Sequence, residues 1–299
     1  MTGEATWGYR ATTTSGSDAS GFGVDTSELY FDAVEDIGGG SSVKAHMAIG
    51  GLDRGGYGAG GATTGQDFYI SVGGGSAGTV KVATTKGASQ LDGGGSSSSV
   101  ASWNVGMDGR VFSARTTSDN ITYAMPVGPV TLVVGHRETA NSLGEGTGST
   151  AGVGQRKNWI TAKGSMGALT FDANYSVYDG KGGAAATTVD DTSLYGGVAY
   201  NFGAAKVGFG LESRKKTLGA VNDMYLAVMA PVGAIDLSAE YGSRKYSSDF
   251  VAQPDKSGYG ISAVYHMSKR TSLIARTASF DLGGTSRDTQ TDFYIDHTF

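Results

Sequence analysis

No cysteine occurs among the 299 residues, and only four prolines and four histidines do. The first absence excludes a disulfide scaffold and any cysteine-based zinc site. Scarce proline, beside 50 glycines, excludes collagen, which needs abundant proline and glycine at every third position. A basic surplus is also missing: 23 Lys and Arg stand against 28 Asp and Glu, a net charge of −5. No nucleic-acid partner is therefore expected. Nor is there an apolar run of roughly 18 residues. The longest candidate, 224–235, holds Pro231 and Gly233 and stops at Asp236. No transmembrane helix is expected. The opening Met1-Thr2-Gly3-Glu4-Ala5 has neither the basic region nor the apolar core of a signal peptide. Two readings follow: a cytosolic protein, or a mature chain whose leader has been removed, with Met1 added.

What is abundant is glycine, at more than twice the usual ~7%. The 15 tyrosines and 11 phenylalanines argue against a disordered Gly/Ser chain. Helical periodicity is scarce and alternation is everywhere. Leu169, Phe171, Ala173, Tyr175 and Val177 interleave with Thr170, Asp172, Asn174 and Ser176. Ile235, Leu237, Ala239 and Tyr241 interleave with Asp236, Ser238 and Glu240. A period of two means strands with one apolar and one polar face.

Two kinds of connection alternate along the chain. The short ones are tight-turn compositions at 38–40, 73–75, 126–128, 165–167, 202–204, 231–233 and 267–269. The longer, polar ones fall at about 15–23, 52–65, 87–117, 139–155, 179–189, 216–219, 245–255 and 282–287. Sixteen strand candidates result. An even-numbered meander, short turns at one end and long loops at the other, is the pattern of an outer-membrane barrel. The expected fold is all-β: a 16-stranded antiparallel transmembrane β-barrel, one domain over 1–299. In hydrocarbon every backbone N–H and C=O needs a partner, and a closed barrel leaves no edge. Sixteen strands leave a lumen that side chains cannot fill. Mean hydropathy of −0.17 fits, since each strand is only half apolar. A soluble β-sandwich or β-solenoid also shows alternation and glycine turns, and stays open on periodicity alone.

The last strand places Phe293, Ile295, His297 and Phe299 on one face. An aromatic there would join an interfacial girdle. This ending resembles the terminal strand of the Gram-negative general porins, especially those of β-proteobacteria. Three further stretches carry the likeness: Glu35-Asp36-Ile37-Gly38-Gly39-Gly40, Asp67-Phe68-Tyr69-Ile70-Ser71-Val72 followed by Gly78-Thr79-Val80-Lys81-Val82, and Asp119-Asn120-Ile121-Thr122-Tyr123-Ala124-Met125-Pro126. Each motif alone is weak; four in order are fairly specific. The resemblance implies a homotrimer of barrels in the outer membrane, in contact with lipid and lipopolysaccharide. It implies passive diffusion of small hydrophilic solutes, and a third external loop folded inward to narrow the pore. It also makes Phe299 an assembly signal. Residues 87–117 fit the third loop by length, and long structureless loops are usually functional. Its start, Gly93 to Ser99, reads as flexible. Trp103, Val105, Met107, Val111 and Phe112 read as pins for its second half.

The sequence departs from the family at the pore wall. By the family's pattern, strands 2 and 5 carry basic side chains. Here those positions fall on Glu28 and Asp32, and on Thr84. Arg115 precedes strand 6 but is offset by about one residue, and the loop lacks the family's Pro-Glu-Phe-like motif. The remaining basic candidates are Arg10, Lys44, His46, Lys81 and Arg137 on strands. Asp92, Asp108 and Arg110 lie in the loop. Opposed charges across a pore would orient polar solutes and sort ions. With acids at 28 and 32, a weakened anion preference or a cation preference is expected.

Enzyme readings are thin. The histidines are scattered, and no helical spacing suits zinc. Asp190 and Asp191 read as a solvated loop rim, or at best a weak Ca²⁺ site. No cofactor is expected. Two functional classes remain: a diffusion channel, or a structural barrel that anchors surface-layer or other external proteins. An autotransporter translocator is disfavoured, because no helix precedes the strands to plug the lumen.

Overall fold

The computed structural model describes residues 1–51, 64–87, 91–93, 95–114, 117–138, 156–179, 190–216, 219–247 and 253–299. Among them run sixteen strands. They are β1 Thr2–Thr14, β2 Ser17–Gly38, β3 Ser41–Gly50, β4 Thr64–Gly73, β5 Thr79–Lys86, β6 Thr117–Val127, β7 Val130–Glu138 and β8 Arg156–Met166. The second half comprises β9 Leu169–Asp179, β10 Asp190–Asn201, β11 Lys206–Lys216, β12 Gly219–Val232, β13 Ile235–Tyr246, β14 Lys256–His266, β15 Thr271–Asp281 and β16 Asp288–Thr298. Each strand pairs with its sequence neighbours, and β1 pairs with β16 to close a barrel. Closure satisfies the edge groups that a sandwich would leave open. Gly3 and Phe299 exchange backbone bonds at 2.8 and 3.0 Å across that seam.

Alternation decides which face meets what. On β12, Asp223, Tyr225 and Ala227 are buried while Leu226 and Val228 are exposed. Around the cylinder Val80, Ile121, Val134, Ile160, Leu211 and Ile261 are exposed in the same way. So large an apolar belt would drive association in water. It is a lipid-facing surface, with aromatic groups such as the stacked Trp7 and Phe22 (5.4 Å) upon it. A Leu226→Arg substitution should therefore destabilise the barrel by up to about 2–4 kcal/mol, depending on depth. Urea unfolding in lipid vesicles measures it. An unchanged midpoint would show that this face does not meet hydrocarbon.

Two of the eight expected long connections are short. Residues 15–23 are mostly strand: β2 starts at Ser17 and runs for 22 residues. The reversal is the pair Ser15-Gly16, both with positive φ (50° and 78°). Such mirror-image turns match the right-handed twist of a hairpin. The Ser/Gly/Asp composition that reads as a loop here is paired strand, with Thr13 donating to Asp18 at 2.7 Å. Likewise β11 and β12 pair as far as Lys216 and Gly219, so only two residues intervene. The gap before β16 spans 282–287 as expected. Most of the long segments expected at 52–65, 139–155, 179–189 and 245–255 lies outside the described residues.

Candidate functional site

The connection between β5 and β6 occupies 87–116. Its residues Leu91, Val105, Met107, Val111 and Phe112 are buried. They share one cluster with Tyr195, Tyr225, Ala227, Ala278 and Phe280. Those partners belong to the inward faces of β10, β12 and β15, because their strand neighbours face outward. The loop therefore lies inside the barrel, against the wall from β9 to β16.

Inward glycines make the room. A Cβ on Gly208 would stand 2.0 Å from the Ser98 carbonyl oxygen. One on Gly242 would stand 2.4 Å from Met107 Sδ, and one on Gly260 2.9 Å from Val105. Polar tethers complete the seat. Glu240 accepts the Val105 N–H at 3.0 Å and the Tyr225 hydroxyl at 2.7 Å. Ser102 donates to Asp236 at 2.7 Å, and the Ser97 N–H donates to Asp172 at 3.0 Å. Trp103 packs on Tyr294, ring centroids 6.4 Å apart. The glycine–serine start is fastened too: Ser96 and Ser98 are buried, and Ser96 bonds the Tyr195 hydroxyl. The expectation of a flexible start misjudged it, since serine hydroxyls find partners on an inward tyrosine that the local sequence does not reveal.

Two carboxylate anchors hold the wall behind the loop. Asp223 on β12 receives Arg244 at 2.7 Å from β13 and Arg214 at 2.7 Å from β11. Arg214 also donates to Ser113 of the loop at 2.8 Å. On the other flank Arg276, Asp292 and Arg10 share one rung of β15, β16 and β1. Asp292 is fully buried and receives Arg10 Nε at 2.7 Å and Arg276 Nε at 2.5 Å.

The expected site residues separate into groups. Arg10 faces the lumen and bridges Asp292 and Asp25. Glu28 faces it two strand positions from Tyr30, whose hydroxyl donates to it at 2.7 Å. Asp32, Lys44 and His46 come together: Asp32 lies 2.9 Å from His46 Nδ1 and 3.7 Å from Lys44 Nζ. The His46 ring stacks on Tyr69 at 4.9 Å, and Lys81 Nζ sits 5.5 Å from that same ring. By pairing parity Arg137 faces inward beside Asn120 and Lys157. On the wall from β1 to β8, Asp32 and Lys44 meet water, at 41% and 43% exposed, while Lys157 is buried.

In the loop, Asp92 is 2% exposed and accepts the Asp108 N–H at 2.9 Å, so it closes the loop on itself instead of facing the lumen. Asp108 is half-buried. Arg110 reaches Gln290 of β16 and stacks on Phe280 at 4.6 Å. Burial first, and then the charges of Arg10 and Arg276, lower its proton affinity. Thr84 bonds Asp119 on the outward parity of β5. Arg115 and the Asp190 side chain lie outside the described residues. Among the described residues no group of His, Asp and Glu is arranged to hold a metal ion. Phe299 is half exposed and stacks near His297 at 6.3 Å.

Sequence reasoning missed Asp292, Arg276, Asp223, Arg214, Arg244 and Glu240. The alternation marks Arg214, Glu240 and Arg244 as polar-face residues, but pairing them needs the cross-strand register. On β15 both faces mix apolar and polar residues (Leu273 and Ala275 with Thr277 and Ser279, against Ile274, Ala278 and Phe280 with Ser272), so nothing local assigns Arg276 to the lumen.

The family model for Gram-negative porins matches residues 1–285. Among solved structures, the anion-selective porin from Comamonas acidovorans superposes with a TM-score of 0.73 at 18% identity, covering 100% of this chain and 99% of that one. A mutant of the Rh. blastica porin gives 0.70 at 16% identity with the same coverage. A triple mutant of the Rhodopseudomonas blastica porin gives 0.68 at 17%, again covering 100% and 99%. Among curated proteins none matches the sequence.

Proposed function

The chain belongs to the Gram-negative porins, and from that premise we propose how its channel is narrowed, lined and assembled. It is an outer-membrane channel for passive diffusion of small hydrophilic solutes. Residues 87–117 act as its constriction. The observation that carries this is the seating of the loop: among the described residues its apolar side chains pack from β9 to β16, while Asp32 and Lys44 on the opposite wall stay exposed. Solutes pass between the two. A sixteen-stranded lumen has the width for such an arrangement. An interaction barrel is less favoured, because a protein that only anchors partners has no need of a polar, water-filled wall.

The lining is Arg10, Glu28, Asp32, Lys44, His46, Lys81 and Arg137, with Arg110 from the loop. Two carboxylates, Glu28 and Asp32, stand among the cations of this lining and weaken its preference for anions. Catalysis has no support here. The barrel assembles as a homotrimer, its outer band in contact with lipid and lipopolysaccharide. Purified protein in a planar bilayer should give large conductance steps in threes; a mostly closed protein would overturn the reading.

Neutralising the β2 acids tests the lining. Glu28→Gln with Asp32→Asn removes two carboxylates and releases Lys44 and His46 from Asp32. The reversal potential in a salt gradient should move towards anion preference. No movement would remove both residues from the filter.

A further inference from the structure

The cations around the loop are not equivalent. Arg10, Arg276, Arg214 and Arg244 each hold a carboxylate at 2.5–2.7 Å. Arg110 does not: among the described residues it has no carboxylate within ion-pairing distance. Its partners are the neutral Gln290 amide oxygen and the face of Phe280. The nearby carboxylates are committed elsewhere. Asp292 is taken by Arg10, Arg276 and Gln290, and Asp288 accepts the Ser15 N–H at 2.9 Å. A half-buried guanidinium without a counter-charge is costly, and two like charges beside it raise that cost.

We propose that Arg110 takes its counter-ion from the lumen, forming a subsite for small carboxylate solutes in transit. The idea rests on the constriction reading and deepens it. A guanidinium offers five N–H donors in a planar fork that matches a carboxylate bidentately. Gln290 and Phe280 hold that fork by one hydrogen bond and one ring face, which leaves donors for a solute. Arg10 and Arg276, whose Nε donors are engaged by Asp292, add positive charge beside the site. The site attracts chloride by charge alone, but carboxylates by charge and shape.

The probe is acetate, titrated against chloride current through single channels in a planar bilayer. In the unaltered protein acetate should inhibit competitively. Arg110→Gln should weaken that inhibition about tenfold or more, the value of a charge-assisted hydrogen bond, and shift the reversal potential towards cations. Arg110→Lys keeps the charge and removes the fork. It should preserve the reversal potential and still lose the preference for acetate over chloride. Wild-type acetate inhibition in both variants would overturn the subsite. Deleting residues 96–112 separates the two readings. Unchanged conductance in the deletion sinks the constriction itself. Raised conductance there, with unaltered inhibition in Arg110→Gln, sinks only the subsite.

Discussion

Asp223→Ala should destabilise the barrel by about 3–5 kcal/mol, the usual cost of removing one partner from a buried ion pair. Asp223 is 2% exposed and is the shared acceptor of Arg214 and Arg244, both more than nine-tenths buried. Its removal leaves two guanidinium groups facing each other across β12, with only Glu212, 3.7 Å from Arg214, to offset them. Arg214 also holds Ser113, so the end of the loop should loosen as well. Thermal unfolding followed by circular dichroism in detergent measures the loss. A change within about 0.5 kcal/mol, as at an ordinary surface site, would mean that water already screens the triad. Asp223→Asn should fall between, because its single amide oxygen keeps part of the hydrogen bonding while the charge and the second acceptor are lost.

Gly208→Val should enlarge the pore. Its added Cβ would meet the Ser98 carbonyl oxygen at 2.0 Å, so the loop backbone has to leave the wall or shift along it. Gly242→Val presses on Met107 and Phe112 at 2.4 and 2.7 Å, at the other end of the same seat. Overpacking of this kind costs about 1–3 kcal/mol per site. It falls mostly on the loop, because the barrel strands are held by ladders on both sides. Conductance should rise, and the double substitution should raise it more than either alone. The opposite result, wild-type conductance from a folded double variant, would show that the loop does not set the pore width.

Asp92 and Arg276 show where sequence reading ran out. Both facts needed are non-local. Asp92 carries a charge in a polar loop, which locally looks like a water-facing residue. Only the folded loop brings the Asp108 N–H within 2.9 Å of it. Arg276 sits in a strand whose two faces look alike, because its inward Ile274, Ala278 and Phe280 are covered by the loop and by Trp103. The long β2 was hidden for another reason. Its upper part, 17–23, lacks large apolar residues apart from Phe22, and composition alone cannot tell a paired glycine–serine strand from a loop.

The sequence by itself determined the closed meander and its sidedness. Period-two alternation is written residue by residue, and turn chemistry is local to three or four positions. Tertiary structure alone decided which face of the lumen the loop covers, which acids are internal staples and which cation, among the described residues, has no carboxylate partner. Those outcomes depend on where a thirty-residue excursion comes to rest and on the register between distant strands. Neither is encoded in any single stretch of chain.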